Sequence, residues 1–131
     1  MLEGKKILFV DDEELLLESH KNKFNNRPAV NKVIVFYAIT AQEADKIIKR
    51  ESLDLIYLDL SLGESGVPDG LELLKRYAKS HKIIIISGHE EYRDECLAVG
   101  AKGYLVKPME FNRMMEEGNK ILSNTEKSEK D

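Results

Sequence analysis

Five residues able to hold or move a phosphoryl group sit at the ends of short apolar runs. Asp11 and Asp12 follow Ile7-Leu8-Phe9-Val10, Asp59 follows Leu55-Ile56-Tyr57-Leu58, Ser87 follows four consecutive isoleucines, and Lys107 follows Gly103-Tyr104-Leu105-Val106. Three carboxylates brought together repel one another and titrate abnormally unless a cation neutralises them. A hard divalent ion with oxygen ligands fits this role, and Mg²⁺ suits one or two carboxylates with waters and phosphate oxygens completing its shell. One carboxylate, with Asp59 the candidate, can then act as the nucleophile of aspartyl-phosphate chemistry. Phosphoryl transfer needs in-line positioning and neutralised equatorial oxygens more than acid–base groups. The Lys107 ammonium and the Ser87 hydroxyl can share that neutralisation with the metal. Pro108 can fix the turn that aims Lys107, through a cis peptide bond.

The elements that must position these residues alternate strand and helix five times. Apolar runs without polar alternation, such as Ile7–Val10 and Ile83–Ile86, suit strands buried on both faces. Val33–Tyr37 reads as the second strand, Leu55–Leu58 as the third and Gly103–Val106 as the fifth. Helical spacing runs from about Glu13 to Asn25, with Leu15, Leu16 and Phe24 among its apolar positions and Pro28 helping to stop it. Thr40-Ala41-Gln42-Glu43 matches a capping box and opens a second helix bearing Ala44, Ile47 and Ile48. A loop over Ser61–Asp69 leads to a helix with Leu71, Leu73, Leu74 and Tyr77. The fourth helix spans roughly Glu90 to Val99, with Gly100 as its stop. The last runs from Met109 to Leu122, weakened at Gly118 by about 1 kcal/mol relative to alanine. Such alternation implies an α/β fold, a parallel sheet covered by helices on both faces. Ligands of such sheets bind outside the carboxyl ends of the strands, where the polar residues cluster.

The chain has 131 residues, with 42% hydrophobic and 34% charged, a composition suited to one globular domain over residues 1–122. The nine residues 123–131 are polar and read as a disordered tail. A net charge of −4 without a basic run argues against direct nucleic-acid binding. Cys96 is the only cysteine, which excludes a disulfide framework and a cysteine-rich metal site. It reads as core or boundary packing. No apolar segment reaches the length of a signal-peptide core or a membrane span, so the expected location is the cytoplasm.

The segments FVDD (9–12), YLDL (57–60), IISG (85–88) and YLVKP (104–108), in this order, resemble the receiver domain of two-component response regulators, of the stand-alone chemotaxis-regulator-like type. Each segment alone is weak, but all four at strand ends in this order are specific. The resemblance covers about residues 5–122. It implies a doubly wound, flavodoxin-like sheet of order 2-1-3-4-5. It also implies that Asp59 receives a phosphoryl group from a sensor histidine kinase or phosphotransfer protein. Asp12, Asp59 and the backbone carbonyl of Ser61 would ligate Mg²⁺ directly, and Asp11 through a metal-bound water. Ser87 and Tyr104 would form a switch pair, the hydroxyl moving toward the phosphate and the ring turning inward behind it. That would alter the face of fourth helix, fifth strand and fifth helix, where a downstream protein partner docks or a homodimer forms on phosphorylation. The implied protein is a signalling domain that catalyses only its own phosphorylation and dephosphorylation.

Two departures from the family pattern stand out. Asp69 lies ten positions after Asp59, further than usual, with the proline displaced to Pro68. The intervening loop is expected to be long and mobile, and the placement of Glu64 is open. His89, two residues past Ser87, stands where small residues are common. With Ser61 it becomes a candidate for setting phosphoryl lifetime by crowding the path of the attacking water. Plainer readings exist for each part. Asp11-Asp12 alone suits a solvated helix start, Ser87-Gly88 a turn, and Tyr104 a static boundary residue. His20 and His81 read as surface residues, and Met114-Met115 as packing. Among whole-protein alternatives, a pseudo-receiver that binds partners without phosphorylation has no need of all five groups. An aspartate-dependent phosphohydrolase would want a second aspartate at the position of Ser61. A flavin-binding protein would want a Ser/Thr-rich loop in place of Asp-Asp-Glu-Glu. The short tail leaves little for an output module, although excision from a longer regulator stays open.

Overall fold

The structure is a computed structural model and describes residues 4–26, 33–62 and 69–130. Five strands, β1 (Lys6–Val10), β2 (Ile34–Ala38), β3 (Leu55–Asp59), β4 (Ile83–Ser87) and β5 (Gly103–Val106), alternate with five helices. The helices are α1 (Glu14–Asn25), α2 (Ala41–Arg50), α3 (Asp69–Tyr77), α4 (Arg93–Val99) and α5 (Phe111–Lys130). All strand pairs are parallel and the order is β2-β1-β3-β4-β5, as the resemblance implies. In register, Val10 faces Ala38 and Leu58, Asp59 faces Ile86, and Ser87 faces Val106. The polar strand ends therefore line up along one edge of the sheet.

Successive strand residues point to opposite faces, and the two cores divide accordingly. Leu8, Val10, Ile56, Leu58, Ile83, Ile85 and Tyr104 pack beneath α2, α3 and α4, with Ala44, Ile48, Leu73, Leu74 and Cys96. Ile7, Phe9, Leu55, Tyr57, Ile84, Ile86 and Leu105 pack against α1 and α5, with Leu17, Phe111, Met114, Met115 and Leu122. Phe9 stacks on Tyr57 with ring centroids 4.7 Å apart, and the Tyr57 hydroxyl donates to the Met114 carbonyl at 2.7 Å. A Cβ at position 118 would lie 2.4 Å from that hydroxyl oxygen and 3.0 Å from Leu55 Cδ2. Gly118, which weakens the helix in isolation, is what lets α5 approach β3.

Several boundaries differ from the sequence expectation. β2 lies one residue later than Val33–Tyr37, and Glu90–Tyr92 form a turn before α4 rather than its first residues. Helix α5 continues through Lys130, where a disordered tail was expected after Leu122. The added residues include Glu126, Lys127, Glu129 and Lys130, all good helix formers, and neither glycine nor proline. The Thr40 hydroxyl accepts from the Glu43 N–H at 3.1 Å, as the capping box predicts. The Glu43 carboxylate, however, accepts from the Ile39 N–H at 2.9 Å, one residue before the cap. In α1, Leu15 points to solvent while His20 is buried, contrary to its surface reading. His20 lies three residues after Leu17 and four before Phe24, so it shares their stripe. Its ring centroid lies 5.1 Å from that of Phe9 and 5.7 Å from that of Phe111. Pro28, Glu64, Pro68 and the loop around them lie outside the described residues.

Candidate functional site

Three of the polar strand ends share one local device. The Asp11 carboxylate accepts from the Glu13 N–H at 2.9 Å, Asp59 from the Ser61 N–H at 3.1 Å, and the Ser87 hydroxyl from the His89 N–H at 3.0 Å. Each side chain thus satisfies the backbone donor two residues on, where the chain turns away from its strand. The Asp11 N–H still donates to the Ala38 carbonyl at 3.0 Å, and the Lys107 N–H to the Ser87 carbonyl at 2.8 Å. Sheet bonding therefore reaches the first residue past β1 and past β5. The Lys107–Pro108 peptide is cis, as expected from sequence. Gly70, in the first turn of α3, lies against the same strand end. A Cβ there would come 2.4 Å from the Asp59 carbonyl oxygen, so only glycine admits the helix this close.

These turns bring Asp11, Asp12, Asp59 and Lys107 together. Oxygen atoms of Asp11, Asp12 and Asp59 all lie within 4.8 Å of one another, with Asp11 and Asp59 buried and Asp12 exposed at the mouth. The Lys107 ammonium lies 3.0 Å from Asp11 Oδ2 and 3.0 Å from Asp59 Oδ2. It is also 3.5 Å from Glu13 Oε1, a contact the sequence reading missed, although the acidic run 11–14 contains it. Ser61 is exposed beside Asp59, its N–H the one held by that carboxylate.

The electrostatics follow from burial. Desolvation pushes the Asp59 carboxyl up to about 6; Lys107 opposes this and Asp11 reinforces it. Burial alone would lower the Lys107 pKa, but hydrogen bonds and charge from Asp11 and Asp59 outweigh it and hold the ammonium above the ordinary lysine range. One lysine therefore stays firmly charged while the pocket keeps an excess of carboxylate. An oxygen-only donor set of this kind, with like charges in close contact, fits a hard divalent cation such as Mg²⁺.

Ser87 and Tyr104 are both buried. The Tyr104 hydroxyl donates to the His89 carbonyl, and the Arg93 guanidinium lies over the ring at 5.4 Å from its centroid. Burial raises the Tyr104 phenol pKa, and the nearby Ser87 hydroxyl partly offsets this. His89 is exposed, with Nδ1 3.3 Å from Glu91 Oε1 and its ring edge-on to Tyr92. Beside the acidic cluster, Leu16, His20, Ile86, Pro108, Met109 and Met114 wall a largely apolar cavity of about 350 Å³. Among the described residues no helix is long and apolar enough to cross a membrane.

Comparison with known proteins agrees with this geometry. A family model described as the response regulator receiver domain matches residues 7–119. The chain is 28% identical over 109 residues to the sensory transduction protein LytR of Streptococcus agalactiae, covering 83% of this chain and 44% of that protein. It is 31% identical over 105 residues to the alginate biosynthesis transcriptional regulatory protein AlgB of Pseudomonas syringae, covering 79% of this chain and 22% of that protein. The chain thus spans less than half the length of these curated relatives. A CheY-like receiver domain protein from Methanospirillum hungatei superposes with a TM-score of 0.81 at 29% identity, covering 95% of this chain and 98% of that one. The response regulator TrrA of Thermotoga maritima, solved in complex with Mg²⁺–BeF, gives 0.73 at 28% identity, covering 88% and 97%.

Proposed function

The chain belongs to the response regulator receiver family, and on that premise we propose that Asp59 accepts a phosphoryl group and that the face of α4, β5 and α5 reads out the change. The observation that carries this reading is the Lys107 ammonium at 3.0 Å from both Asp11 and Asp59, within a cluster of three carboxylates. The donor is a phosphohistidine of a sensor histidine kinase or phosphotransfer protein. An Asp59 carboxylate oxygen attacks phosphorus, the phosphorus–nitrogen bond breaks, and the donor imidazole leaves with the bonding pair and takes up a proton. Lys107 offsets charge on the transferred group, and the Ser87 hydroxyl moves to donate to it. Asp12, Asp59 and the Ser61 carbonyl, with Asp11 acting through water, would hold Mg²⁺, which supplies further charge neutralisation when bound. Water attack on phosphorus later returns Asp59 and releases inorganic phosphate, with Ser61 and His89 flanking its approach.

Output then runs through a protein partner, a phosphorylation-dependent homodimer or onward relay, in the cytoplasm. Incubation with acetyl phosphate and Mg²⁺, followed by intact mass, tests the reading. One added phosphoryl group, lost in Asp59→Asn and on metal chelation, is expected. No gain in the wild type overturns it and favours a pseudo-receiver.

A further inference from the structure

The ring of Tyr104 is buried, and its surroundings explain why. Its hydroxyl is tied to the His89 carbonyl, and the His89 N–H is tied to Ser87 Oγ at 3.0 Å. On the outer side, Arg93, the first residue of α4, lays its guanidinium over the ring. Arg93 also makes a long ion pair with Glu90 within the turn that leads into α4. The nearest carboxylate oxygen, Glu90 Oε1, stands 3.8 Å from the guanidinium, and Arg93 Nε is buried without a hydrogen-bond partner among the described residues. A buried N–H left unpaired is unfavourable, so the contact with the ring face is what offsets it. Arg93, Tyr104, His89 and Ser87 thus form one connected path from α4 to the strand end beside Asp59.

We infer that Arg93 is a positioning residue that holds Tyr104 inward before phosphorylation, so that the free protein already populates the arrangement the phosphoryl group selects. The inference rests on the acceptor reading above. A ring already inward spares Asp59 part of the conformational work on phosphorylation, so Arg93 raises the phosphorylation rate without touching the reacting atoms. Turning the ring outward would break the hydroxyl bond to His89 and displace the guanidinium.

Ring carbon resonances of ¹³C-labelled tyrosine test it, with Tyr104 assigned through Tyr104→Phe. Each protein is compared free and with Mg²⁺ and beryllofluoride, a stable phosphoryl mimic, and its phosphorylation rate with acetyl phosphate is measured. In the wild type the free Tyr104 resonance is expected close to the beryllofluoride position. In Arg93→Gln it moves away and returns on adding Mg²⁺ and beryllofluoride, and the rate falls roughly two- to five-fold, the factor an exposed cation–π contact supports. Arg93→Lys, which keeps the charge over the ring, recovers most of the rate. An unmoved Tyr104 resonance in Arg93→Gln overturns the inference, whatever the rate. A wild type that takes up neither beryllofluoride nor phosphate overturns the acceptor reading instead, and the free-protein resonances then still judge the hold of Arg93 on the ring.

Discussion

Replacing Asp59 with asparagine should make the metal-free protein more stable at neutral pH, because the native carboxylate is held where its charge is unfavourable. Its folded pKa of about 6 stands some two units above the value of an exposed aspartate. At 1.36 kcal/mol per unit this is about 3 kcal/mol. The folded state binds the proton more tightly than the unfolded chain does. Stability from this group is therefore highest below pH ~4, falls as pH rises, and is fully lost above pH ~6. Asparagine keeps the shape and carries no charge, so Asp59→Asn should match the wild type near pH 4 and exceed it by up to about 3 kcal/mol at pH 8. For a domain of this size that is a Tm difference of roughly 10 °C. Thermal unfolding followed by circular dichroism, in chelator from pH 4 to 8, gives the measurement. Adding Mg²⁺ at pH 8 should raise the wild type more than the variant, since the metal binds the intact cluster preferentially. A wild-type-to-variant difference that stays constant across pH would refute the reasoning.

Gly118→Ala should destabilise the fold by about 1–3 kcal/mol through overpacking against Tyr57, despite alanine's better helix propensity. Tyr57→Phe in the same chain should recover part of that loss in urea unfolding. His20→Phe should stabilise by about 1 kcal/mol, because His20 Nδ1 is buried without a partner among the described residues. Burial, aided by Lys23, lowers the His20 pKa, so the wild type should lose stability relative to the variant as pH drops through ~6.5. For His89→Ala, faster loss of the phosphoryl group is expected in a mass-spectrometric time course, and equal rates would remove His89 from the water path.

The strand–helix alternation and the residues that end the strands were legible in the chain before any packing was known. Runs such as Ile83–Ile86 admit few other structures, and a side chain at a strand terminus must face the crevice beyond it. Asp11, Asp12, Asp59, Ser87 and Lys107 stood out as candidates because each follows an apolar run, and the structure gathers the three carboxylates around Lys107. Features that depend on neighbours distant in the chain became visible once the elements were packed. His20 looked like a surface residue until the phase of α1 placed it between Phe9 and Phe111. Gly118 looked like a helix weakness until the Tyr57 hydroxyl occupied the space a Cβ would need. Arg93 carried no signal at all, because its meaning lies in a ring eleven residues away on another element. Periodicity reports which way a side chain points from its own element. What it meets there is a property of packing, and here packing raises the pKa of the Asp59 carboxyl and buries the ring of Tyr104.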